Sequence, residues 1–317
     1  MSEPAPEEII WDCLRGALRT RALAIVADLG IAQRLADGPR AADDLARETG
    51  SDADAVHRLL RALASDGVFA EAERGVFRNT PASEVLLAEG WNDFAHLFGG
   101  SWFRAIGELD ASGEATFERI FGADFWSWLA AHPEERAAFD RAMAQGKEQR
   151  VERFDSVSWR GDETVVDVGG GNGSLLIEVL RRQPGLRGIV FDLPETVRDE
   201  DAFGDRIEFV AGSFFESVPR GDVYILGTIL HDWDDEPAAA ILRTICTAAP
   251  DDARLLVLDA VVPPGNEPFG PKWLDLLMLT LLRGRERDEQ QWRALLERGG
   301  FEPVRFHERL IEAVPCR

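Results

Sequence analysis

Apolar residues recur at helical spacing through most of the first third of the chain. Between Ile10 and Leu29 they follow an i, i+3, i+4, i+7 pattern, and Gly30 is expected to end this helix. Further helices are predicted within 41–67, and two short strands around a turn within 68–80. Helices followed by a strand hairpin are typical of a winged helix.

The pattern changes twice in the rest of the chain. Residues 91–150 show helical spacing and are rich in Trp and Phe. From about 160, short Val- and Ile-rich runs alternate with helical segments, and two strands are expected within 301–315. Strands alternating with helices predict a largely parallel sheet that is buried on both faces. The expected fold class is therefore α/β, preceded by a mostly helical segment.

Composition narrows the possible partners and location. The chain has 317 residues, 45% hydrophobic and 29% charged, as in a globular protein outside the membrane. Its formal net charge of −22 disfavours a nucleic-acid partner, which would require clustered Lys and Arg. Neither a membrane-spanning run nor a signal peptide is recognised. Cys13, Cys246 and Cys316 are far apart and show no metal or disulfide spacing, so a cytoplasmic protein is expected.

Glycines follow the first strand of the alternating region, in the stretch VVDVGGGNG. Gly169, Gly171 and Gly173 are spaced more tightly than the dinucleotide fingerprint G-x-G-x-x-G, whose third position would fall on Ser174. The next predicted strand ends at Asp192, where a carboxylate can bind ribose hydroxyls. These features indicate a nucleoside ligand without a pyrophosphate, although a tight turn beside an exposed Asp is the structural alternative.

Two further candidate side chains follow later strands. His231 comes shortly after VYILGT, and Asp259 ends RLLVLD. Because parallel strands share a direction, these residues are expected at the same edge of the sheet as the glycine loop. Open α/β sheets bind ligands at this edge.

The motifs VVDVGGGNG, FDLPETV, LHDWDD and GRERDEQQWRALLERGGF together resemble one family. It is that of the S-adenosylmethionine-dependent O-methyltransferases of the plant phenolic type, and the resemblance is closest to bacterial members that modify aromatic antibiotics. It extends over nearly the whole chain. It implies a Rossmann-like class I methyltransferase sheet over 96–317, with 96–155 as an aromatic-rich connection on the substrate side. Residues 1–95 would be a winged-helix dimerisation domain, and the protein a homodimer.

The resemblance also implies a catalytic group. By position, His231 would be the general base, flanked by Asp259 and Glu286. A histidine suits this task because its pKa lies near neutral pH. The family usually has Glu where this chain has Asp259. From the residues alone, His231 could instead be a helix-entry residue, and Glu286 could belong to a solvated charge run with its Arg neighbours.

Cofactor contacts are implied at strand ends and in the loops that follow them. The expected residues for S-adenosylmethionine are Asp167, Gly169, Gly171, Gly173, Asp192, Leu193, Ser213, Phe214 and Gly227. The family commonly has an acid at Ser213, and plant members often have Lys at Gly227. Both departures bear on cofactor affinity more than on chemistry.

An aromatic small molecule is the implied acceptor, held in a flat apolar pocket. The candidate residues are Trp102, Phe103, Trp126, Asp275, Met278 and Leu282. The apolar candidates could equally be ordinary core residues, and Asp275 could serve packing or the surface. The identity of the acceptor and of the methylated hydroxyl is not encoded in any of these motifs.

Other interpretations of the sequence stay open. The acids of HDWDDE could suggest a metal site, but they directly precede a predicted helix, so capping is the better account and no metal is expected. A methyltransferase-like hydroxylase or decarboxylase would keep the same fold and cofactor. A winged-helix DNA-binding regulator is disfavoured, because the predicted recognition helix within 51–67 carries several Asp residues that phosphate would repel.

Overall fold

The computed structural model describes residues 5–88, 90–194, 196, 201–307 and 309–316. They form two compact units. The first comprises the described residues of Met1–Leu109 and Phe117–Gln145, and the second those of Asp110–Thr116 and Gly146–Arg317. Every helix in the described ranges is too short or too polar to cross a bilayer.

Helices dominate the first unit. They are α1 (Pro6–Asp28), α2 (Ile31–Arg34), α3 (Ala42–Thr49), α4 (Ala53–Ser65), α5 (Pro81–Glu84), α6 (Trp91–Gly99), α7 (Ser101–Ile106), α8 (Thr116–Phe121, which begins at the unit boundary), α9 (Phe125–Ala131) and α10 (Pro133–Met143). An antiparallel sheet accompanies them in the order β1-β3-β2, from β1 (Arg40–Ala41), β2 (Phe69–Glu73) and β3 (Val76–Asn79). The predicted winged-helix arrangement is confirmed.

The two ends of α1 have different surroundings. Near its C-terminus, Val26 is buried in a core that includes Leu60 and Phe77. Near its N-terminus, a row of apolar side chains is exposed; it comprises Ile9, Ile10, Trp11, Leu14 and Leu18. We call this row the α1 apolar face.

An ion-pair cluster joins three helices of the first unit. The imidazole of His96 on α6 lies between Asp28 at the end of α1, with Nδ1 2.8 Å from Oδ1, and Glu135 on α10, with Nε2 3.3 Å from Oε1. The hydrogen bond to Glu135, together with Asp28, raises the pKa of His96 to about 9 despite partial burial. His96 is therefore a cation at neutral pH.

The second unit contains the large sheet. Its strands are β4 (Thr164–Val168), β5 (Arg187–Asp192), β6 (Ile207–Ala211), β7 (Val223–Gly227), β8 (Arg254–Leu258), β9 (Phe301–His307) and β10 (Leu310–Pro315). The helices are α11 (Lys147–Glu152), α12 (Ser174–Arg182), α13 (Asp235–Ala248), α14 (Pro271–Leu282) and α15 (Glu289–Arg298).

In the described part of this unit, the seven strands follow the order β6-β5-β4-β7-β8-β10-β9. The first five are parallel, and β10 and β9 pair antiparallel at one side. Two apolar cores cover the sheet: one contains Val166 and Trp292, the other Val165 and Leu180. The successive residues Val165 and Val166 enter different cores, as alternation along a strand requires. The prediction of a parallel sheet buried on both faces is confirmed for its central strands.

Candidate active site

A glycine loop turns the chain from β4 into α12. Gly169, Gly171 and Gly173 have φ values of 74°, 59° and 75°, in the left-handed region where a side chain is disfavoured. A Cβ on Gly173 would also lie 2.8 Å from Cγ2 of Val190 on the neighbouring strand. The alternating glycines are therefore required by backbone geometry, and the loop that they form lies at the carboxyl edge of the sheet.

Two acidic side chains flank this loop. Asp192, the last residue of β5, accepts the backbone N–H of Gly171 (2.8 Å) and that of Leu193 (2.7 Å). Asp167, in β4, is buried, and its Oδ2 has no hydrogen-bond partner among the described residues. Burial raises the pKa of Asp167 to about 7; the charge of Asp192 adds to the rise, and the nearby cation of Arg150 opposes it. The sequence motifs did not reveal Arg150, which belongs to α11.

An aromatic group lies next to the loop. Phe214 is close enough that a Cβ on Gly169 would be 3.8 Å from its ring. Its ring packs against Phe215 and Trp233 with centroids 4.9 and 6.1 Å away. The hydroxyl of Ser213 has a local hydrogen-bond partner, because its Oγ accepts the backbone N–H of Phe215 at 3.3 Å.

Two of the expected cofactor positions have simple surroundings. Leu193 is exposed directly after β5. Gly227 is the last residue of β7, and a Cβ there would be 3.2 Å from Leu175. Both therefore lie at the carboxyl edge of the sheet, one strand to either side of β4.

His231 lies in the short 3-10 turn Leu230–Asp232 that follows β7. Thr228, with a φ of 57°, makes a strained turn between the strand and this segment. The imidazole is buried, and Nδ1 donates to Oε1 of Glu286 at 2.7 Å. A carboxylate can only accept, so Nδ1 carries the hydrogen of this bond. The other nitrogen, Nε2, lies 3.3 Å from Oδ1 of Asp232.

The expected flanking carboxylates are both beside the histidine. Glu286 is buried, and its backbone N–H donates to Asp275 at 2.8 Å, which fixes the segment that carries it. Asp259, directly after β8, is also buried, and neither of its carboxylate oxygens has hydrogen-bond geometry with a described group. Asp232 is a further carboxylate at the imidazole, and the sequence interpretation had considered it only for capping or metal binding.

Buried charges dominate the electrostatics of this cluster. Burial opposes protonation of His231, but Asp259, Asp232 and Glu286 outweigh it and raise the pKa of the imidazole to about 10. Burial raises the pKa of Asp232 to about 7 and that of Asp259 to about 6, while His231 lowers both. The cluster therefore binds a proton firmly and stabilises an imidazolium.

The acids that follow His231 enter α13 as expected. Asp234 is the N-cap residue, and its carboxylate accepts the backbone N–H of Asp235 at 2.8 Å. Asp235 pairs with Arg287 at 2.9 Å. The capping interpretation of HDWDDE is confirmed for Asp234, whereas Asp232 lies at the imidazole of His231. In the part of the chain that the structure describes, no group of three or more His, Cys, Asp or Glu is arranged to hold a metal ion.

The predicted acceptor residues belong to different units. In the first, Trp102 is buried, Phe103 is half-buried, and Trp126 packs edge-on against Phe125 and Phe139.

In the second unit, the predicted residues lie on α14. Met278 is buried, Leu282 ends the helix half-buried, and Asp275 faces the backbone of Glu286. Whether any of these six contacts an acceptor stays a prediction.

Comparison with known proteins identifies relatives over the whole length. The model of an O-methyltransferase domain matches residues 88–302, and that of an O-methyltransferase dimerisation domain matches residues 11–89. A phenazine O-methyltransferase, PhzM of Lysobacter antibioticus, is 40% identical over 92% of this chain and 90% of its own.

Solved structures agree with this result. The crystal structure of LaPhzM superposes with a TM-score of 0.92 at 37% identity, covering 98% of this chain and all of the other. NcsB1, an O-methyltransferase from neocarzinostatin biosynthesis, was solved with S-adenosyl-L-homocysteine and 1,4-dihydroxy-2-naphthoic acid. It superposes with a TM-score of 0.82 at 29% identity, over 93% of this chain and 95% of its own.

Proposed function

This chain belongs to the S-adenosylmethionine-dependent O-methyltransferases, and we propose that it methylates a hydroxyl of an aromatic small molecule with His231 as general base. The resemblance inferred from the motifs and the expected fold class are confirmed by the same comparisons. One observation carries the proposed mechanism. A buried histidine, bonded at 2.7 Å to a buried carboxylate, lies at the end of the strand next to the glycine loop.

The chemistry of the cofactor determines what the protein itself must do. S-adenosylmethionine supplies a methyl group on a sulfonium, which is already a strong electrophile. The protein must then orient the acceptor oxygen and take its proton. General base catalysis contributes about 100- to 10,000-fold to such a step, and alignment can add more.

The surroundings of His231 suit proton removal at Nε2. In the neutral imidazole, Glu286 holds the hydrogen on Nδ1, so Nε2 is the nitrogen that can accept a proton. When it does, the carboxylates of Asp232, Asp259 and Glu286 stabilise the imidazolium. Asp259 would act through its charge, since it lacks hydrogen-bond geometry with a described group.

Cofactor binding is proposed at the carboxyl edge of β4 and β5. The left-handed glycines let a ligand approach the loop backbone, and Asp192 offers a carboxylate for ribose hydroxyls. Phe214 would pack on the adenine, with Leu193, Ser213 and Gly227 around it. Asp167 would contribute to the cofactor site from its buried position beside the loop, where its Oδ2 has no hydrogen-bond partner among the described residues.

We propose that methyl transfer here needs no metal ion. The acids that follow His231 already have other partners: Asp232 lies against the imidazole itself, Asp234 caps α13, and Asp235 pairs with Arg287. The electrophile is moreover activated by its own positive charge. A chelator is therefore expected to leave turnover unchanged.

The acceptor class is inferred from relatives and from the aromatic residues. PhzM is named for phenazine, and NcsB1 binds a dihydroxynaphthoic acid. We propose a fused-ring aromatic acceptor of secondary metabolism for this chain. Because both of these relatives are named O-methyltransferases, the hydroxylase or decarboxylase alternative is not favoured.

We propose that the protein forms a homodimer through the α1 apolar face, since the dimerisation domain model begins at residue 11 of that helix. The division of the chain into 1–95 and 96–317 stays a prediction.

Mass spectrometry tests the proposed reaction. The purified protein would be incubated with S-adenosylmethionine and a panel of phenols, 1-hydroxyphenazine, 1,4-dihydroxy-2-naphthoic acid and hydroxyanthraquinones, with and without EDTA. A product heavier by one methylene, formed equally with EDTA and strongly reduced in His231→Ala, is the expected result. Methylation that is unaffected by His231→Ala would refute the general-base role, and loss of activity in EDTA would refute metal independence.

A further inference from the structure

Arg287 is a buried cation that contacts the backbone next to the proposed base. Its side chain is fully buried, in the segment between α14 and α15 that also carries Glu286. Removing a cation from water is energetically costly unless the cation is well paired. A neutral or apolar residue would serve packing at lower cost, so this arginine calls for an account of what its charge and shape do.

The guanidinium bonds to the segment around His231 from both sides. Nη1 donates to the carbonyl of Leu230 at 3.0 Å, and Nη2 donates to the carbonyl of Trp233 at 2.9 Å. Nε and Nη2 both donate to Oδ1 of Asp235, at 3.1 and 2.9 Å. These acceptors lie before and after His231, so one rigid, planar group fixes both ends of the turn that holds the imidazole.

The backbone of Arg287 contacts the segment that follows Asp259. Its carbonyl accepts the N–H of Val262 at 2.9 Å, in a parallel bridge with Val261, just after Asp259. The guanidinium also lies over the ring of Trp292, 5.4 Å from its centroid. The indole N–H of Trp292 in turn donates to the carbonyl of Ala260 at 2.8 Å. Arg287 is thus connected to the segments of His231, Asp259 and Glu286.

The backbone just before Glu286 packs against the backbone of His231. The N–H of Arg285 donates to the carbonyl of His231 at 2.8 Å, and a Cβ on Gly284 would clash with that same oxygen. The segment that carries Glu286 therefore packs directly on the backbone of the base, and a small displacement would change the contact between the two side chains.

We propose that Arg287 is a positioning residue for methyl transfer, which holds His231 in register with Glu286 and Asp259. The proposal rests on the function proposed above. Arginine is required because it donates in several directions at once from a planar fork, whereas lysine is a point charge with three donors. Conserving the charge would not conserve the position of the imidazole.

Arg287→Lys tests this directly, with Arg298→Lys as the matched control. Arg298 also lies next to Asp235, but it is exposed on α15 and its guanidinium pairs with Glu236. We expect Arg287→Lys to lower kcat about 10- to 100-fold. Lysine would lose one or two of the hydrogen bonds that the charged guanidinium donates, and each lost bond corresponds to about a tenfold effect. KM for the acceptor and Kd for S-adenosylhomocysteine should stay within about threefold, and Arg298→Lys should equal wild type.

A second readout does not depend on turnover. Of the five histidines in the chain, His231 can be assigned in an NMR spectrum of 15N-histidine-labelled protein by its loss in His231→Gln. In Arg287→Lys its pKa should fall toward 6.5, because the carboxylates no longer surround the imidazole. An unchanged His231 pKa together with an unchanged kcat would overturn the proposal, as would equal losses of kcat and cofactor binding.

If Arg287→Lys does not fold, Asp235→Asn tests the proposal in its place. It leaves Arg287 in place, weakens one of its partners, and should lower kcat about 3- to 10-fold, whereas Glu236→Gln in the same helical turn should not. Equal kcat in the two variants would overturn the proposal. If wild-type protein methylates no acceptor, the proposed function fails, while the NMR comparison still reports on Arg287.

Discussion

Replacing Glu286 with Gln should shift the pH dependence of methyl transfer to lower pH. The substitution keeps an oxygen that can accept from Nδ1 of His231 but removes the negative charge at 2.7 Å. Glu286 is one of the carboxylates that raise the pKa of His231 to about 10. A general base works in its neutral form, so kcat/KM should rise with pH until that pKa is passed. Without the charge, the rise should end earlier.

The size of the shift follows from the contact. A hydrogen bond to a charged group is worth about 1.5 to 3 kcal/mol, and one pKa unit corresponds to about 1.36 kcal/mol. Loss of the charge should therefore lower the pKa of His231 by about one to two units. The weaker base should also lower the plateau of kcat/KM, so the variant loses most activity at high pH and least near neutrality.

The measurement is kcat/KM for the acceptor between pH 6 and 10.5, from release of S-adenosylhomocysteine. The acceptor hydroxyl titrates as well, so two acceptors of different hydroxyl pKa are needed; a limb that belongs to His231 is the same for both. Glu289→Gln is the control, because it makes the same change on an exposed side chain of α15 that pairs with Arg293. A limb that stays within about 0.3 unit of wild type, or moves upward, would refute the role assigned to Glu286.

Three further outcomes are expected. Asp192→Asn should raise the Kd for S-adenosylmethionine in calorimetry about 10- to 100-fold, since its carboxylate organises Gly171 and is proposed to bind the ribose; an unchanged Kd would contradict this. His96 has a raised pKa, so its ion pairs stabilise fully below about pH 6.5 and are lost as pH rises through about 9. Its partly exposed pairs are worth about 1 kcal/mol or less. Between pH 7 and pH 10 the Tm of the wild-type protein should therefore fall further than that of His96→Gln, with a difference of about 2 °C or less. A wild-type fall that is no larger than the fall in His96→Gln would count against the cluster. The double variant Trp11→Glu/Leu14→Glu should change the mass by light scattering from two chains to one, with the circular-dichroism spectrum unchanged because both side chains are exposed in the single chain; a dimer that persists would exclude the α1 apolar face as the interface.

Much of the fold could be predicted because its signals are local. The strands of the large sheet read as short Val- and Ile-rich runs between helical segments. The turn into α12 had to be glycine-rich, as the left-handed Gly169, Gly171 and Gly173 explain. Since parallel strands end at one edge, placing Asp192, His231 and Asp259 at that edge needed only their order in the sequence.

The contacts around the base could not be predicted in the same way. Arg287 reads in the sequence as one charge in GRER, yet its partners lie more than fifty residues earlier, and only the folded chain makes it a buried cation. Asp232 follows His231 directly, but its distance to Nε2 depends on the turn between β7 and α13. Asp275 was expected at the edge of the acceptor, which stays a prediction; that its carboxylate accepts the backbone N–H of Glu286 could not be read from the sequence.

The position of β10 has a consequence for biosynthesis. It lies between β8 and β9, although it leaves the ribosome after both. Until it arrives, β8 has an open edge on the side that will receive it, and Asp259 follows directly from that strand. A nascent chain or a truncated product that lacks 310–315 therefore presents an incomplete strand pair next to the proposed catalytic group. An unpaired strand edge is a template for pairing with other chains, so completion of the sheet removes an aggregation-prone edge as well as pairing the strand that precedes Asp259.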